Sequence, residues 1–363
     1  MIFITGGTGF VGREVVRELL ALGYRVRLLV RDPRRAGHWA DHPHVEIFTG
    51  DVLRPETLAS AMTGVDAVIH LVGFIAETST VTFELGHVEA TRHLLSAAAE
   101  AHVTRWVQMS AIGTRPAANS RYHLTKWEAE ELVRQSGLDW TVFRPSLIYG
   151  YDEHDRLLNT LRLALRWAPF GAFPLLDGGT AFVQPVSVRE VARCFAHAVS
   201  REATLGQTYD LVGPVPISWR EMVLKFAHAL GKKAVYEEVP ILLLLRMLLW
   251  LAVVLLPLLI IAGIALDKLT LAHAELTLGL WGVLALTAWR WKSLILFNFP
   301  VAPLRIVAAA LNSFAPRWLQ CSEQLKMATE DNIGNPQPAM EAFGYTPESF
   351  EDGLRPFSQK TRL

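Results

Sequence analysis

The first twelve residues constrain the fold of this 363-residue chain more than any other stretch. An apolar, β-prone run from Met1 to Ile4 enters a turn with several glycines, and a helical pattern follows from Val11 to Leu22. A strand, a glycine-rich turn and a helix in this order predict a dinucleotide-binding unit. Gly9 leaves room for a pyrophosphate, and Gly12 allows close helix packing. The residues predicted to bind the phosphates are Gly6, Gly7, Thr8, Gly9, Phe10, Val11 and Gly12.

Strand and helix patterns alternate along the next two hundred residues, as in a parallel doubly wound sheet. Further strands are predicted at residues 24–30, 45–48, 67–72, 106–109, 140–143 and 208–212. The sequence therefore predicts a Rossmann-type α/β fold, with residues 1–150 as the nucleotide-binding domain, extended by residues 183–212. The irregular segments 151–182 and 213–240 predict a small substrate lobe.

Composition excludes several classes of protein. The 35 basic and 35 acidic residues balance, so nothing indicates a nucleic-acid partner. With only Cys194 and Cys321, no disulfide framework is implied, and a reducing compartment is expected. The chain begins directly with a core strand, which argues against a secretory signal peptide. The histidines are scattered, so no metal site is predicted, and no Gly-x-Ser-x-Gly turn of a hydrolase is present.

Charged residues after the second predicted strand indicate which dinucleotide binds. An acidic residue there favours NAD, whereas a nearby arginine accommodates the 2′-phosphate of NADP. Three arginines surround Asp32, so we predict NADP(H), with NAD(H) and a merely solvated loop as alternatives. The arginines are Arg31, Arg34 and Arg35. Asp51, followed by Val52, is placed to accept from the adenine amino group. The fourth strand ends in three further predicted cofactor contacts, Leu71, Val72 and Gly73.

The chemistry is predicted to lie after the fifth strand. Ser110 follows that strand, and Tyr122 and Lys126 are four residues apart on a predicted helix, so they share a face. An ammonium close to a phenol lowers the pKa of the phenol from about 10. Tyr122 is therefore a candidate general acid–base group, Ser110 a candidate ligand of the substrate oxygen, and Lys126 also a candidate ligand of the ribose. The alternative is a surface pair.

These motifs together resemble the extended and atypical short-chain dehydrogenase/reductase superfamily over about residues 1–235 and again after about residue 300. The residues that carry the resemblance are Thr5–Gly12, Asp51-Val52, Ser110, Tyr122, Lys126, Arg144-Pro145-Ser146 and Tyr149-Gly150. Within the superfamily, the bacterial relatives of the dehydrogenase-like accessory subunit of respiratory complex I are the most similar, through His87–Thr91, Val183–Val186 and Glu330–Asn332.

The resemblance implies a bound nucleotide, with Arg144, Pro145 and Ser146 closing over its nicotinamide end. It also implies that the substrate lobe is built from residues 151–182 and later segments. One departure matters. Many extended members place an asparagine near the position of His87 in a proton relay, and this sequence does not. The resemblance therefore implies nucleotide binding more directly than turnover.

Two long apolar segments follow the predicted lobe. Residues 247–266 are free of charges and long enough to cross a bilayer as a helix, and residues 269–289 are mostly apolar. We predict a transmembrane hairpin over residues 241–292, with two buried core helices as the alternative. Arg246, Arg290 and Lys292 lie at its ends, which places the nucleotide domain on the cytoplasmic side of the inner membrane. Residues 300–319 predict a membrane-surface helix, within a segment 293–363 that also completes the lobe.

Two functions from different classes are consistent with these features. The first is an NADP(H)-dependent oxidoreductase acting on a carbonyl or alcohol of a lipophilic substrate, such as a quinone precursor, an isoprenoid or a sterol-like lipid, at the membrane. The second is a nucleotide-binding accessory or assembly subunit of a membrane respiratory complex without turnover. A nucleotide-sugar epimerase is disfavoured, because such an enzyme needs no membrane hairpin. The expected partners are the bilayer and a lipophilic molecule or a membrane complex.

Overall fold

The computed structural model describes residues 1–150, 155–168, 172–238, 244, 247–248, 293–302, 304 and 322–356. The chain divides into two compact units. The first comprises Met1–Leu158, Ala181–Ser218 and Val301–Pro356, and the second comprises Asn159–Thr180, Trp219–Pro300 and Phe357–Leu363. The described residues 322–356 thus belong to the unit with the glycine-rich turn.

The strands of the described residues are numbered in chain order. They are β1 (Ile2–Thr5), β2 (Val26–Val30), β3 (Val45–Thr49), β4 (Ala67–His70), β5 (Arg105–Met109), β6 (Asp139–Pro145), β7 (Ile148–Tyr149), β8 (Ala172–Leu176), β9 (Phe182–Val183), β10 (Val186–Ser187), β11 (Gln207–Leu211), β12 (Ile217–Ser218), β13 (Lys233–Glu237) and β14 (Ser293–Phe299). The six strands predicted after the first are all present, with ends shifted by two residues or fewer.

The helices are numbered in the same way. They are α1 (Phe10–Ala21), α2 (Ala90–Glu100), α3 (Arg121–Arg134), α4 (Arg156–Arg166), α5 (Val188–Ala198), α6 (Trp219–Ala229), α7 (Ser322–Ala328), α8 (Gln337–Phe343) and α9 (Phe350–Gly353). A π-helical turn, Glu84–Glu89, leads into α2. Such turns are frequent at functional sites.

Seven strands of the first unit form one parallel sheet in the order β11-β6-β5-β4-β1-β2-β3. This is the doubly wound order, in which the strand order reverses between β1 and β4. Ligands of such sheets bind outside the carboxyl ends of the strands at that reversal. The predicted Rossmann-type fold is confirmed.

Alternate residues of the strands supply the two cores on the faces of this sheet. Ile2 and Ile4 pack against α1 and α5, whereas Phe3 packs against the opposite layer with Trp106. All four are buried almost completely, as expected for parallel strands covered on both faces. The layers fix the carboxyl ends of the strands, which carry the predicted site residues.

The second unit contains a small parallel sheet in the order β13-β14-β8, next to α6. These three strands were not predicted. β8 and β14 are short apolar segments, which periodicity alone does not distinguish from helix or loop. Their partners are also far apart in sequence, so no local pattern indicates the pairing.

Within the described part of the chain, no helix is long and apolar enough to cross a membrane. Most of the predicted hairpin and of the predicted membrane-surface helix lies outside the described residues, which omit 249–292 and 305–321.

Candidate functional site

The glycine-rich turn lies at the carboxyl end of β1. Gly6 has a φ of +76°, and a Cβ atom there would lie 3.1 Å from the Leu71 carbonyl carbon, so the turn packs directly on the backbone that follows β4. A Cβ atom on Gly12 would lie 2.2 Å from the Gly6 oxygen. Only glycine fits at position 12, because the helix and the turn touch through their backbones. This is the close packing predicted from the sequence.

Gly9 has a different environment. A Cβ atom there would meet only the Gly6 oxygen, at 3.2 Å, so a larger side chain would extend outside the turn. Gly9 is also the N-cap of α1, and no side chain caps this helix. The first amides of an α-helix have no partner within the helix, and they attract anions. The turn therefore fits a pyrophosphate at the start of α1.

The adenosine end of the predicted site contains a bidentate ion pair between Arg34 and Asp32. Arg34 donates to Asp32 from Nε and from Nη2, both at 2.9 Å, and the same hydrogen bonds lower the pKa of Asp32. Arg31 and Arg35 are exposed in the same loop. The three arginines were predicted to act alike, but they are not equivalent, because Arg34 neutralises the carboxylate that favours NAD. Asp51 accepts from the amide of Leu53 at 3.0 Å, which orients its carboxylate.

We predict that Arg34→Ala shifts the nucleotide preference toward NAD(H). The substitution removes one positive charge and frees the Asp32 carboxylate to bind the ribose hydroxyls. The ratio of the NADPH and NADH dissociation constants is expected to rise by about tenfold or more, the value of one charge-assisted hydrogen bond. Titration of both nucleotides measures it. Arg92→Ala, which breaks an exposed ion pair on α2, is the control. An unchanged ratio for Arg34→Ala would show that the ribose lies elsewhere.

Two of the three predicted catalytic residues, Ser110 and Lys126, lie at the carboxyl ends of β4 and β5. Lys126 is buried on α3, and its ammonium donates to the Met109 carbonyl at 3.3 Å, beside Ser110. Ser110 is buried and donates to Thr114 at 3.3 Å. A Cβ atom on Gly73 would lie 2.9 Å from the Lys126 ammonium, so glycine there leaves room for that group. Ser110, Gly73 and Lys126 are thus brought together.

Tyr122 lies one helical turn before Lys126, with its ring among other rings. The ring packs edge-on against three other rings. The distance from its centroid is 5.4 Å to the ring centroid of His87, 5.8 Å to that of Phe83 and 5.1 Å to that of His123. Among the described residues, no hydrogen bond joins the Tyr122 hydroxyl to Ser110 or Lys126. The three residues share a region, but their polar groups are not linked to one another.

The expected lowering of the Tyr122 pKa is not found. Burial raises the pKa of Tyr122 to about 12, and burial also lowers the pKa of Lys126 to about 8, against the opposing effect of Glu130. The reason is geometric, because the ammonium of Lys126 faces the Met109 carbonyl and Gly73 rather than the phenol. Activation of Tyr122 therefore requires groups that arrive with the ligands, such as ribose hydroxyls.

Two buried histidines near Lys126 were not predicted. His70 lies at the end of β4 and contacts Thr5 at 2.6 Å, and His87 lies in the π-helical turn and contacts Thr125 at 2.9 Å, each through Nδ1. The Nε2 atoms of both rings are buried and have no hydrogen-bond partner among the described residues. Burial, followed by the charge of Lys126, lowers the pKa of His70 to about 3 and that of His87 to about 2. Both rings are therefore neutral.

We predict a steep loss of stability in acid, because both histidines are neutral in the folded chain and protonate near pH 6.5 when unfolded. Their contribution is complete above pH 6.5 and is lost as the pH falls toward about 3. Each histidine changes the free energy of unfolding by about 1.4 kcal/mol per pH unit in this range. Urea unfolding at several pH values measures the slope. His70→Asn should roughly halve it, whereas the exposed His197→Asn should not.

The residues predicted to close over the nicotinamide end have other partners in the structure. Arg144 donates two hydrogen bonds to the buried carboxylate of Glu130, at 2.9 and 2.6 Å, and this pair joins β6 to α3. Ser146 donates to the Asn332 carbonyl at 2.9 Å, and Pro145 is buried at the end of β6. Their contact with a nucleotide remains a prediction.

A segment near the carboxyl end of the chain lies next to this region. Arg121 donates its amide to Glu323 of α7 at 2.6 Å, and Gln324 donates to the carbonyl of Ile75 at 2.7 Å. Helix α7 therefore contacts both the start of α3 and the loop after β4. These contacts were not predicted, because 202 and 249 residues separate the segments that they join.

The fold and the turn together define a Rossmann-type NAD(P)H-binding domain. Residues 6–160 match the family described as NAD(P)H-binding, which confirms an NAD(P)(H) cofactor. Among the described residues, no group of three or more His, Cys, Asp or Glu side chains is placed to hold a metal ion.

Comparison with known proteins confirms the predicted resemblance. The chain is 31% identical over 217 residues to subunit 9 of the NADH dehydrogenase [ubiquinone] 1 alpha subcomplex of Arabidopsis thaliana, covering 58% of this chain and 53% of the relative. It is 32% identical over 166 residues to the ceramide reductase of Caulobacter vibrioides, covering 46% and 51%. The aligned part thus spans about half the length of each relative.

A solved structure shows the same fold. The NADPH-dependent quinone oxidoreductase QOR2 of Escherichia coli, complexed with NADPH, superposes with a TM-score of 0.65 over 100% of both chains, at 16% sequence identity. At this identity, the likeness concerns the fold alone.

Proposed function

We propose that the protein is an NAD(P)H-dependent reductase of a carbonyl group, or the reverse dehydrogenase. The observation that supports this proposal is that Lys126, one helical turn after Tyr122, lies beside Ser110 and Gly73 at the carboxyl ends of β4 and β5, near a turn that fits a pyrophosphate. NAD(P)H supplies the hydride when it is bound. The protein supplies binding, orientation and the proton.

Each of the three residues has a distinct task in this proposal. Ser110 donates its hydroxyl hydrogen to the substrate oxygen, and Tyr122 transfers its phenolic proton to the same oxygen as negative charge develops there. Lys126 holds the ribose hydroxyls with its ammonium. Its pKa of about 8 leaves that group charged at neutral pH. The surrounding rings of Phe83 and His87 keep water away from the phenol.

We further propose a lipophilic substrate and a preference for NADP(H). The named activity of one relative, ceramide reductase, supports a lipid substrate. The exposed Arg31 and Arg35 and the pairing of Arg34 with Asp32 support the 2′-phosphate. The long apolar segments support a membrane hairpin at residues 241–292, with the nucleotide domain on the cytoplasmic side of the inner membrane.

A second function has its own support. Burial raises the pKa of Tyr122 to about 12, and no described hydrogen bond links Tyr122 to Lys126. A relative is a subunit of NADH dehydrogenase. In a nucleotide-binding accessory subunit, the dinucleotide would stabilise the fold by mass action without turnover.

One experiment separates the two functions. Purified protein is melted with and without NADPH, and NADPH oxidation is followed over a panel of lipophilic ketones. A reductase gives a melting shift and oxidation with at least one ketone. A melting shift without oxidation on any ketone favours the accessory function, and the absence of a shift contradicts both.

The hairpin predicts that the full-length protein resists extraction from membranes by alkaline carbonate, because about 20 apolar residues cross the bilayer in each helix. Deletion of residues 247–289 should release the protein. Release of the undeleted chain would favour the alternative of buried core helices.

A further inference from the structure

Helix α4 has one buried and one exposed apolar face. Leu158, Leu161 and Leu165 are spaced three and four residues apart and are buried. On the outer side, Leu163 is 58% exposed and Trp167, one residue beyond the helix and linked to it by a hydrogen bond to the Leu163 carbonyl, is 73% exposed. Residues four apart lie on the same face, so the two form a single apolar patch. Burial of this patch against a partner would therefore be favourable, because it removes apolar surface from water.

The charged residues of α4 itself are all arginines. Arg162 and Arg166 are exposed and lie next to Leu163 and Trp167 on the same turns of the helix. Lys232 donates to the Leu165 carbonyl at 2.6 Å, at the carboxyl end of the helix, and the charge of Arg166 adds to the burial that lowers the pKa of this lysine. From residue 156 to residue 176 the sequence has no Asp or Glu. The partner of this face is therefore expected to be anionic.

The same unit has further exposed apolar side chains. Leu244, Met247 and Leu248 are 55%, 46% and 62% exposed, and they begin the long apolar part of the sequence. A tryptophan and a leucine next to arginines match the boundary of a bilayer, where tryptophan lies at the headgroup level and arginine binds lipid phosphates. A protein partner would need a matching acidic surface, whereas anionic lipids supply both the charge and the apolar interior.

We propose that the outer face of α4, formed by Arg162, Leu163, Arg166 and Trp167, binds the surface of a bilayer that contains anionic phospholipids. Trp167 and Leu163 insert among the acyl chains near the headgroups, and the two arginines bind the phosphates. This contact differs from the proposed hairpin, which would cross a bilayer whatever its headgroup charge. It would place the second unit against the membrane surface whether or not the hairpin exists.

The test uses the full-length protein mixed with vesicles that contain bromine-labelled phosphatidylcholine, with or without an equal part of phosphatidylglycerol. Bromine quenches only a tryptophan that enters the bilayer, and the emission of Trp167 is the component that Trp167→Phe removes. We expect this component to be quenched in vesicles with phosphatidylglycerol. The double variant Arg162→Gln/Arg166→Gln should raise the lipid concentration needed for half-maximal quenching by about tenfold or more. Each arginine near such a surface adds to the attraction between the protein and the anionic lipids.

A matched control is the double variant Arg189→Gln/Arg193→Gln, which removes two exposed arginines with the same spacing on α5. It should leave the quenching unchanged. The proposal is overturned if the Trp167 component is not quenched. It is also overturned if vesicles without phosphatidylglycerol quench it as strongly as vesicles with it, and the double variant lacking Arg162 and Arg166 is quenched as strongly as the wild-type protein. A Trp167 shift that depends on protein concentration and not on lipid would also overturn it, because a second copy of the chain would then cover the face. Carbonate extraction reports on the hairpin separately, so failure of one proposal leaves the other measurable.

Discussion

Replacing Tyr122 with phenylalanine is expected to lower the rate of carbonyl reduction by about 10²- to 10⁴-fold, the usual contribution of a general acid–base group. Nucleotide affinity should remain nearly unchanged. Phenylalanine keeps the ring contacts with His87, Phe83 and His123, so only the phenolic hydroxyl is lost. Steady-state kinetics with NADPH and a lipophilic ketone, alongside a nucleotide titration, measure the two quantities.

Lys126→Met provides the contrast. Its ammonium is buried beside Gly73 and the Met109 carbonyl, so its loss should reduce both the rate and the nucleotide affinity. If Tyr122→Phe keeps the full rate, the phenol is not the proton donor, and the proposed roles of the three residues are wrong. If both variants weaken nucleotide binding equally, Tyr122 has a binding role instead.

The second large effect concerns the turn. Gly9→Val is expected to weaken NADPH binding by more than about tenfold, because the side chain would fill the space that the turn leaves for a pyrophosphate. Its effect on unfolding should be small, since a Cβ atom at this position meets only the Gly6 oxygen, at 3.2 Å. Calorimetric titration measures the affinity, and thermal unfolding without nucleotide measures the stability.

Gly12→Ala is the matched variant, in which the larger expected effect is on stability rather than on nucleotide affinity. A Cβ atom there would lie 2.2 Å from the Gly6 oxygen, so the helix must move away from the turn. We expect a loss of about 3 kcal/mol in the free energy of unfolding, the upper end of the usual cost of overpacking. Unchanged NADPH affinity in a folded Gly9→Val protein would mean that the pyrophosphate does not bind at this turn.

The sequence was sufficient to predict the central sheet because its signals are local. Each strand is a short apolar run, and each helix follows within a few residues. This alternation alone predicts a parallel sheet. The glycine pattern was informative for the same reason. Gly6 and Gly12 meet each other within one turn, and no distant residue decides their role.

The site was predicted less completely, because its polar contacts join distant segments. The pairing of Arg34 with Asp32 is local, but its bidentate geometry depends on the turn of the loop and not on composition. Ser146 binds Asn332, 186 residues away, and no local pattern indicates that contact. His87 could have been suspected, since it occupies the position near which related proteins place an asparagine. Its burial and its hydrogen bond to Thr125 required the structure.

The pKa of Tyr122 illustrates the limit of spacing arguments. Two residues four apart on a helix share a face, but their polar ends separate when one side chain turns toward a backbone carbonyl. Here the ammonium of Lys126 faces the Met109 carbonyl, so burial alone determines the shift in the pKa of the phenol. Spacing predicts proximity of the side chains, whereas the direction of each charge depends on the surrounding packing.

Transfer of deuterium from stereospecifically labelled NADPH to a lipophilic ketone tests the central proposal most directly. Mass spectrometry of the product alcohol detects the label without depending on a colour change or a coupled reaction. The reductase proposal predicts deuterium on the former carbonyl carbon with the wild-type protein, and at least about a hundredfold less product per unit time with Tyr122→Phe. A protein that binds NADPH tightly yet transfers no deuterium to any ketone of the panel would contradict the proposal.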